Sequence, residues 1–263
     1  MSQRSAQADA RPRTSRSATV TPIEPPLLVA RAEDLAWSDS AQVVVVGWGA
    51  AGACAALQAR QEGASVLVID RFEGGGASAL SGGVVYAGGG TPQQKEAGFV
   101  DSPQFMHAYL RHEVGQVVSD ATLERFCHDS VANQRWLESH GVRFGATMPD
   151  HKTSYPPEGK FLYYSGNEMV PAYGQHLPPG QKPAPRGHRV VAQGQSGATF
   201  FAALQKATLQ VGAQTLLQAS VRRLVCEQNA DGSPGRVLGV EVWHMPAGDA
   251  RTAQHARLHE DYR

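Results

Sequence analysis

Val43-Val44-Val45-Val46-Gly47-Trp48-Gly49-Ala50-Ala51-Gly52 is the stretch on which the rest of the chain turns. Four consecutive β-branched residues ending at a glycine predict a strand buried on both faces, as in a parallel sheet. Three glycines in GxGxxG spacing follow. Small residues from Ala50 to about Glu62 then predict a helix, with Gly63 as its left-handed cap. Ser65-Val66-Leu67-Val68-Ile69 reads as a second buried strand, and Asp70 stands at its end. This is a complete strand–turn–helix–strand unit in about thirty residues.

A GxGxxG alone is a weak signal in a glycine-rich chain, but here it has a strand before it, a helix after it and an acid at the next strand end. Gly47 permits the tight turn, Gly49 lets the backbone approach a pyrophosphate, and Gly52 allows close helix–strand packing. The helix start offers N–H groups and a positive dipole end to phosphates. Asp70 follows the glycines by about twenty residues, where a carboxylate meets ribose hydroxyls; its charge also disfavours a 2′-phosphate. The motif therefore predicts NAD or FAD rather than NADP.

A second glycine stretch, Gly74-Gly75-Gly76-Ala77-Ser78-Ala79-Leu80-Ser81-Gly82-Gly83, decides between them. A flavin needs a long groove where backbone N–H groups and small side chains lie against the pyrophosphate, ribityl chain and broad ring. Ala77, Ser78, Ser81, Gly82 and Gly83 offer that approach without bulky side chains. FAD is the expected cofactor.

Working outward, residues 1–42 are rich in Ser, Arg, Ala and Pro and are read as a disordered tail. Arg4, Arg11, Arg13 and Arg16 suggest a targeting peptide, which the absent apolar core and Asp9 weigh against. Beyond the second glycine stretch, Ser102-Pro103 opens a helix to about Glu113, and Ser119-Asp120 opens another ending at Gly141. Leu123, Phe126, Cys127, Val131 and Leu137 give that second helix one apolar face. Residues 149–187 form a long Pro- and Tyr-rich loop, a helix resumes from Thr199 to Val211, and Leu216–Glu227 and Val237–His244 read as a β-meander around Asp231-Gly232. The expected fold class is α/β: a Rossmann-like FAD-binding domain over residues 43–263, a parallel sheet with helices plus a β-meander.

Composition excludes several classes. Lys plus Arg and Asp plus Glu are both 24, giving zero formal charge, which argues against a nucleic-acid partner. No run reaches the roughly eighteen apolar residues of a membrane span. The three cysteines, Cys54, Cys127 and Cys226, are far apart and lack metal-ligand spacing, so neither a disulfide framework nor structural zinc is expected. Reduced thiols in the cytoplasm are the expectation. His107 and His112 are five apart on a helix and fall on different faces, so no metal site is expected.

The runs Val43–Gly52, Asp70–Gly83 and Tyr86-Ala87-Gly88-Gly89-Gly90-Thr91 resemble the FAD-dependent oxidoreductase 2 superfamily, the fumarate reductase and 3-ketosteroid dehydrogenase flavoproteins. The likeness continues through Asp101-Ser102-Pro103, the Trp136–Val142 helix end, Arg186-Gly187-His188-Arg189 and Gly235–Val240. Leu80-Ser81-Gly82-Gly83 is closer to the ketosteroid dehydrogenase branch. The resemblance implies that Gly47, Gly49, Ala50, Ala51 and Gly52 bind the pyrophosphate, with Asp70 and the adjacent Arg71 at the adenosine ribose. It places Ala77, Ser78, Ser81, Gly82 and Gly83 along the ribityl chain and ring, and the backbone of Val221 at the adenine.

The same resemblance implies hydride transfer between a substrate C–H and the flavin, with a steroid ketone as substrate. Its alternatives are a fumarate- or urocanate-type reductase acting on an unsaturated acid, and an inactive nucleotide-binding fragment. Members of the superfamily run well beyond this length. The chain is thus expected to be an N-terminal portion, incomplete at its C-terminus, without the substrate-capping domain and inactive alone. No catalytic acid or base is assigned; Tyr163 and Tyr164 are read as buried aromatic contacts.

Overall fold

The computed structural model describes residues 24–175, 177 and 179–261. The arginines of the predicted tail, Arg4 to Arg16, lie outside the described residues. Strand β1, Leu27–Val29, pairs in parallel with a later strand, Leu27 opposite Val225 and Val29 opposite Glu227. The Arg222 guanidinium donates to Glu24 at 2.6 Å, and Trp37 lies so close to Gly239 that a Cβ there would come within 2.6 Å of its ring. The expectation of a disordered tail to residue 42 is therefore corrected for residues 24–42. A three-residue strand carries no periodicity, and only its distant partner stabilises it.

The valine run forms β2 (Val43–Val46), followed by α1 (Ala50–Gln61) and β3 (Val66–Ile69). The second glycine stretch carries the short helix α2 (Gly76–Leu80) and strand β4 (Val84–Tyr86). Three helices follow: α3 (Pro92–Glu96), α4 (Pro103–Val114) and α5 (Asp120–Ser139). Ser102 and Ser119 cap α4 and α5, their hydroxyls accepting from Phe105 N and Thr122 N. The Pro/Tyr-rich region is largely irregular but includes β5 (Leu162–Tyr163) and α6 (Pro171–Gly174), and β6 (Gly187–Arg189) closes it. Helix α7 (Gly197–Gln210) leads to β7 (Gln214–Leu216) and the meander strands β8 (Ala219–Gln228) and β9 (Pro234–His244). The polar C-terminal residues form a helix, α8 (Ala250–Asp261).

Parallel pairing builds the sheet β2-β3-β7, with Val43 opposite Val66 and Leu67 opposite Gln214. Alternation along β3 sends Val66 and Val68 to one core with Ala53, Ala56 and Leu57 of α1 and Phe201 and Leu204 of α7. Leu67 and Ile69 point the other way, against Ala219, Val221, Val240 and Val242 of the meander. The small residues of α1 let the helix sit close on the strands. In the wider ladder, β4-β6-β5 forms an antiparallel sheet and β1-β8-β9 the third.

One expectation about β2 fails. Val45 is buried against α1 and α7, but Val44 is 38% and Val46 56% exposed. The strand is at the edge of its sheet, and the meander covers Leu67 and Ile69 of β3 without reaching across to β2.

Buried charge holds the far side together. Arg186 meets Asp101 through two bonds at 3.0 and 2.8 Å, with side chains 2% and 0% exposed. Arg189 is fully buried and donates to the carbonyls of Pro156, Pro157, Ala192 and Gly194 and to Ser196 Oγ. A planar guanidinium with five donors can fasten several irregular segments at once. Among the described residues no helix is long and apolar enough to cross a membrane, and no group of His, Cys, Asp or Glu is placed to hold a metal ion.

Candidate cofactor site

Strand β2 delivers the chain into a turn that a glycine opens. Gly47 has φ +95° and donates to Ile69 O at 2.8 Å, tying the turn to the end of β3. A Cβ on Gly52 would lie 1.9 Å from Gly47 O, so the first turn of α1 rests directly on the turn it leaves. Gly52 thus acts by close packing. Trp48, between the first two glycines, turns inward: its ring is 1% exposed and stands edge-on to Phe201 at 5.9 Å.

Asp70 closes the arrangement from β3. Its Oδ2 accepts from Trp48 N at 2.7 Å and its Oδ1 from Phe72 N at 2.7 Å. Each oxygen keeps a lone-pair position for a hydroxyl. Ser78 reaches across from α2, its Oγ accepting from Ala50 N at 3.0 Å at the start of α1. A Cβ on Gly49 would meet that same hydroxyl at 3.4 Å.

A cavity of about 490 Å³ opens between these elements. Gly47, Asp70, Arg71, Ala77 and Val221, all singled out in the sequence, line it together. Gly49, Ala50 and Ser78 are not among its lining residues but meet one another at the helix start, and Ala51 and Gly52 occupy the first turn of α1. Ser81, Gly82 and Gly83 do not line this cavity. They lie farther along, where Gly197 N donates to Ser81 O at 3.0 Å and Tyr155 Oη donates to Gly82 O at 2.8 Å. A Cβ on Gly82 would fall 2.5 Å from the Tyr155 ring, and one on Gly83 2.5 Å from the Ser196 backbone.

The sequence did not single out Phe72, Leu80, Ala219, Ser220 or His259, which also line the cavity. Phe72 could have been found as a neighbour of Asp70; His259 left no sequence signal, because its place depends on where α8 docks. Tyr163 and Tyr164 are not among the lining residues. Burial raises both phenols above their ordinary pKa, and Tyr164 donates to Pro183 O at 3.3 Å. The buried Glu168, raised by desolvation, and His188, pushed down to about 4 by burial, also lie outside it.

These residues fit a dinucleotide: a side-chain-free turn, a helix start, a carboxylate with acceptor capacity left, and a cavity beyond it. The FAD binding domain family matches residues 42–260. The chain belongs to that family. FAD is the cofactor of this FAD-binding domain. The domain is 58% identical over 246 residues to 3-oxo-5-alpha-steroid 4-dehydrogenase of Comamonas testosteroni, covering 92% of this chain and 44% of that protein. Among solved structures it resembles 3-ketosteroid-delta4-(5alpha)-dehydrogenase of Rhodococcus jostii RHA1, with TM-score 0.76, 32% identity and coverage of 83% of this chain and 44% of that one. A flavocytochrome c3 fumarate reductase is similar at TM-score 0.54 and 26% identity, over 78% of this chain and 32% of that one. The chain thus spans less than half the length of these relatives.

Proposed function

We propose that this chain is the cofactor-binding part of an FAD-dependent 3-oxosteroid dehydrogenase that desaturates a steroid ketone next to its carbonyl. The 58% identity to the Comamonas testosteroni enzyme, over 246 residues and 92% of this chain, carries this reading. Bound FAD supplies the hydride acceptor; the protein supplies position and electrostatics. The Gly47–Gly52 turn and the start of α1 receive the pyrophosphate, Asp70 and Arg71 the adenosine ribose, and the Val221 backbone the adenine. Ala77, Ser78 and the Ser81–Gly83 segment, braced by Tyr155 and Ser196, shape the ribityl and ring end. The family resemblance implies that the substrate cap and the group that removes the proton lie in the part of the relatives' length that this chain does not cover. The three free thiols support a cytoplasmic protein.

The likeness to a fumarate reductase supports a second reading, hydride delivery to an unsaturated acid. Co-expression of the chain with the complementary portion either of the Comamonas testosteroni enzyme or of a flavocytochrome c3 fumarate reductase, side by side, separates the two, because only the matching portion completes the site. Dye reduction that depends on saturated 3-ketosteroids, at about 1 s⁻¹ or more, is the expected result, and none from the chain alone. Oxidation of reduced dye by fumarate or urocanate, with no response to steroid, would overturn the steroid reading.

A further inference from the structure

Helix α8 docks on the groove in an unusual way. Its contacts to the loop after β3 are made by two imidazoles, one turn apart and therefore on the same face. The His255 ring stacks on Phe72 with centroids 4.7 Å apart and planes at 16°, and the His259 ring at 4.2 Å and 4°. Arg71 lies over the same Phe72 ring at 4.9 Å. Leu258, the large aliphatic side chain of this helix, stays 50% exposed. Apolar burial is thus not what holds α8 in place.

The remaining hold is polar and runs through one residue. Gln218 has φ +54°, the one positive φ found at a non-glycine residue among the described residues. Its N–H donates to Phe72 O at 3.2 Å, its carbonyl accepts from Met245 N at 3.1 Å, and its side chain joins Glu73 to His255 Nδ1. A left-handed backbone is strained for a glutamine, and such strain collects at functional sites. Here it fastens the loop after Asp70 to the helix that carries His259.

His259 also lines the cavity, on the side of Asp70, Arg71, Ala219 and Val221. That is the adenosine end of the groove, because the acid at the second strand end marks the ribose. The ring end lies the other way, past Ala77 toward Ser81–Gly83. We infer that His259 is an adenosine-contacting residue, and that α8 closes the adenosine end of the groove by setting the parallel His259 and Phe72 rings beside the purine. A purine has a flat face that stacks on aromatic rings whatever their chemistry. This deepens the FAD assignment and rests on it.

The test uses the 263-residue chain, titrated with FAD by flavin fluorescence and with ADP, which has the adenosine half without the flavin, by calorimetry. His259→Ala is expected to weaken FAD and ADP alike by about tenfold, the scale of one base–aromatic stack. His259→Phe, which keeps a flat ring, is expected to restore most of the loss. In the parent chain either ligand is expected to slow hydrogen exchange across Ala250–Asp261, a readout that needs no variant. FAD and ADP affinities within twofold of the parent for His259→Ala, or α8 exchange indifferent to ADP, would overturn the inference while leaving the cofactor in place. Failure of the parent chain to bind either ligand would instead overturn the FAD assignment, and this contact with it.

Discussion

Asp70→Asn separates the two tasks that the structure gives this side chain. Both carboxylate oxygens are engaged by backbone, Oδ2 by Trp48 N and Oδ1 by Phe72 N, each at 2.7 Å. Asparagine has the same outline and only one acceptor oxygen. Whichever way its amide turns, the NH₂ faces one of the two N–H groups. A charge-assisted bond worth about 1.5–3 kcal/mol is lost, and the part-buried N–H left without an acceptor adds to it unless water reaches it. The expected loss of stability without cofactor is about 2–3 kcal/mol, a fall in Tm of about 4–10 °C for a chain of this size. Asp70→Ala, which leaves room for water, is expected to cost no more. Thermal and urea unfolding followed by circular dichroism, with and without FAD, measure both effects. If Asp70→Asn leaves the cofactor-free Tm within about 1 °C of the parent, the carboxylate does not clasp the turn and the argument from its two bonds is wrong.

Three further outcomes follow from single positions. Gly52→Ala puts a Cβ 1.9 Å from Gly47 O; it is expected to cost about 3 kcal/mol or more and to abolish FAD binding. Gly47→Ala meets only its positive φ, with open space around the added Cβ, and is expected to cost about 1–3 kcal/mol; the reverse ranking in urea unfolding would refute the packing role of Gly52. His188 is buried, with its Nε2 2.9 Å from Thr91 Oγ1, and burial pushes its pKa down to about 4. Its folded state binds the proton less well than the unfolded chain, so its stabilising share is complete above about pH 6.5 and is lost as pH falls toward 4. The parent is expected to lose about 1.4 kcal/mol more per pH unit across that window than His188→Leu. Equal slopes for the two proteins would show that His188 takes up its proton without hindrance.

Much of the candidate site's backbone geometry was legible because it is local. Strand, glycine turn, helix and Asp70 form one continuous unit, and each residue's job follows from its neighbours in sequence. The same locality let Ser102 and Ser119 mark the starts of α4 and α5. The departures are all long-range. Leu27–Val29 became a strand through Cys226 and its neighbours on β8, and the polar end of the chain became a helix docked on Phe72. Val44 and Val46 look as apolar as Val45, yet exposure divides them, because that depends on how far the meander reaches. Long-range packing also explains why Gly82 and Gly83 are glycines, since the Tyr155 ring and the Ser196 backbone leave no room for a Cβ.

The sequence by itself determined the dinucleotide turn, its preference for FAD and the α/β class, because backbone geometry, helix dipole and strand periodicity act over a few residues. Only the tertiary structure decided which of those residues share one cavity and which lie beyond it. It also decided that the cavity is lined near Asp70 by His259, on a helix some 190 residues away in the chain, a separation that no local propensity spans. The contacts that hold that helix, Gln218 to Glu73 and His255, and Phe72 to His259, exist only after the sheet has formed and brought the segment after β3 beside the start of β8.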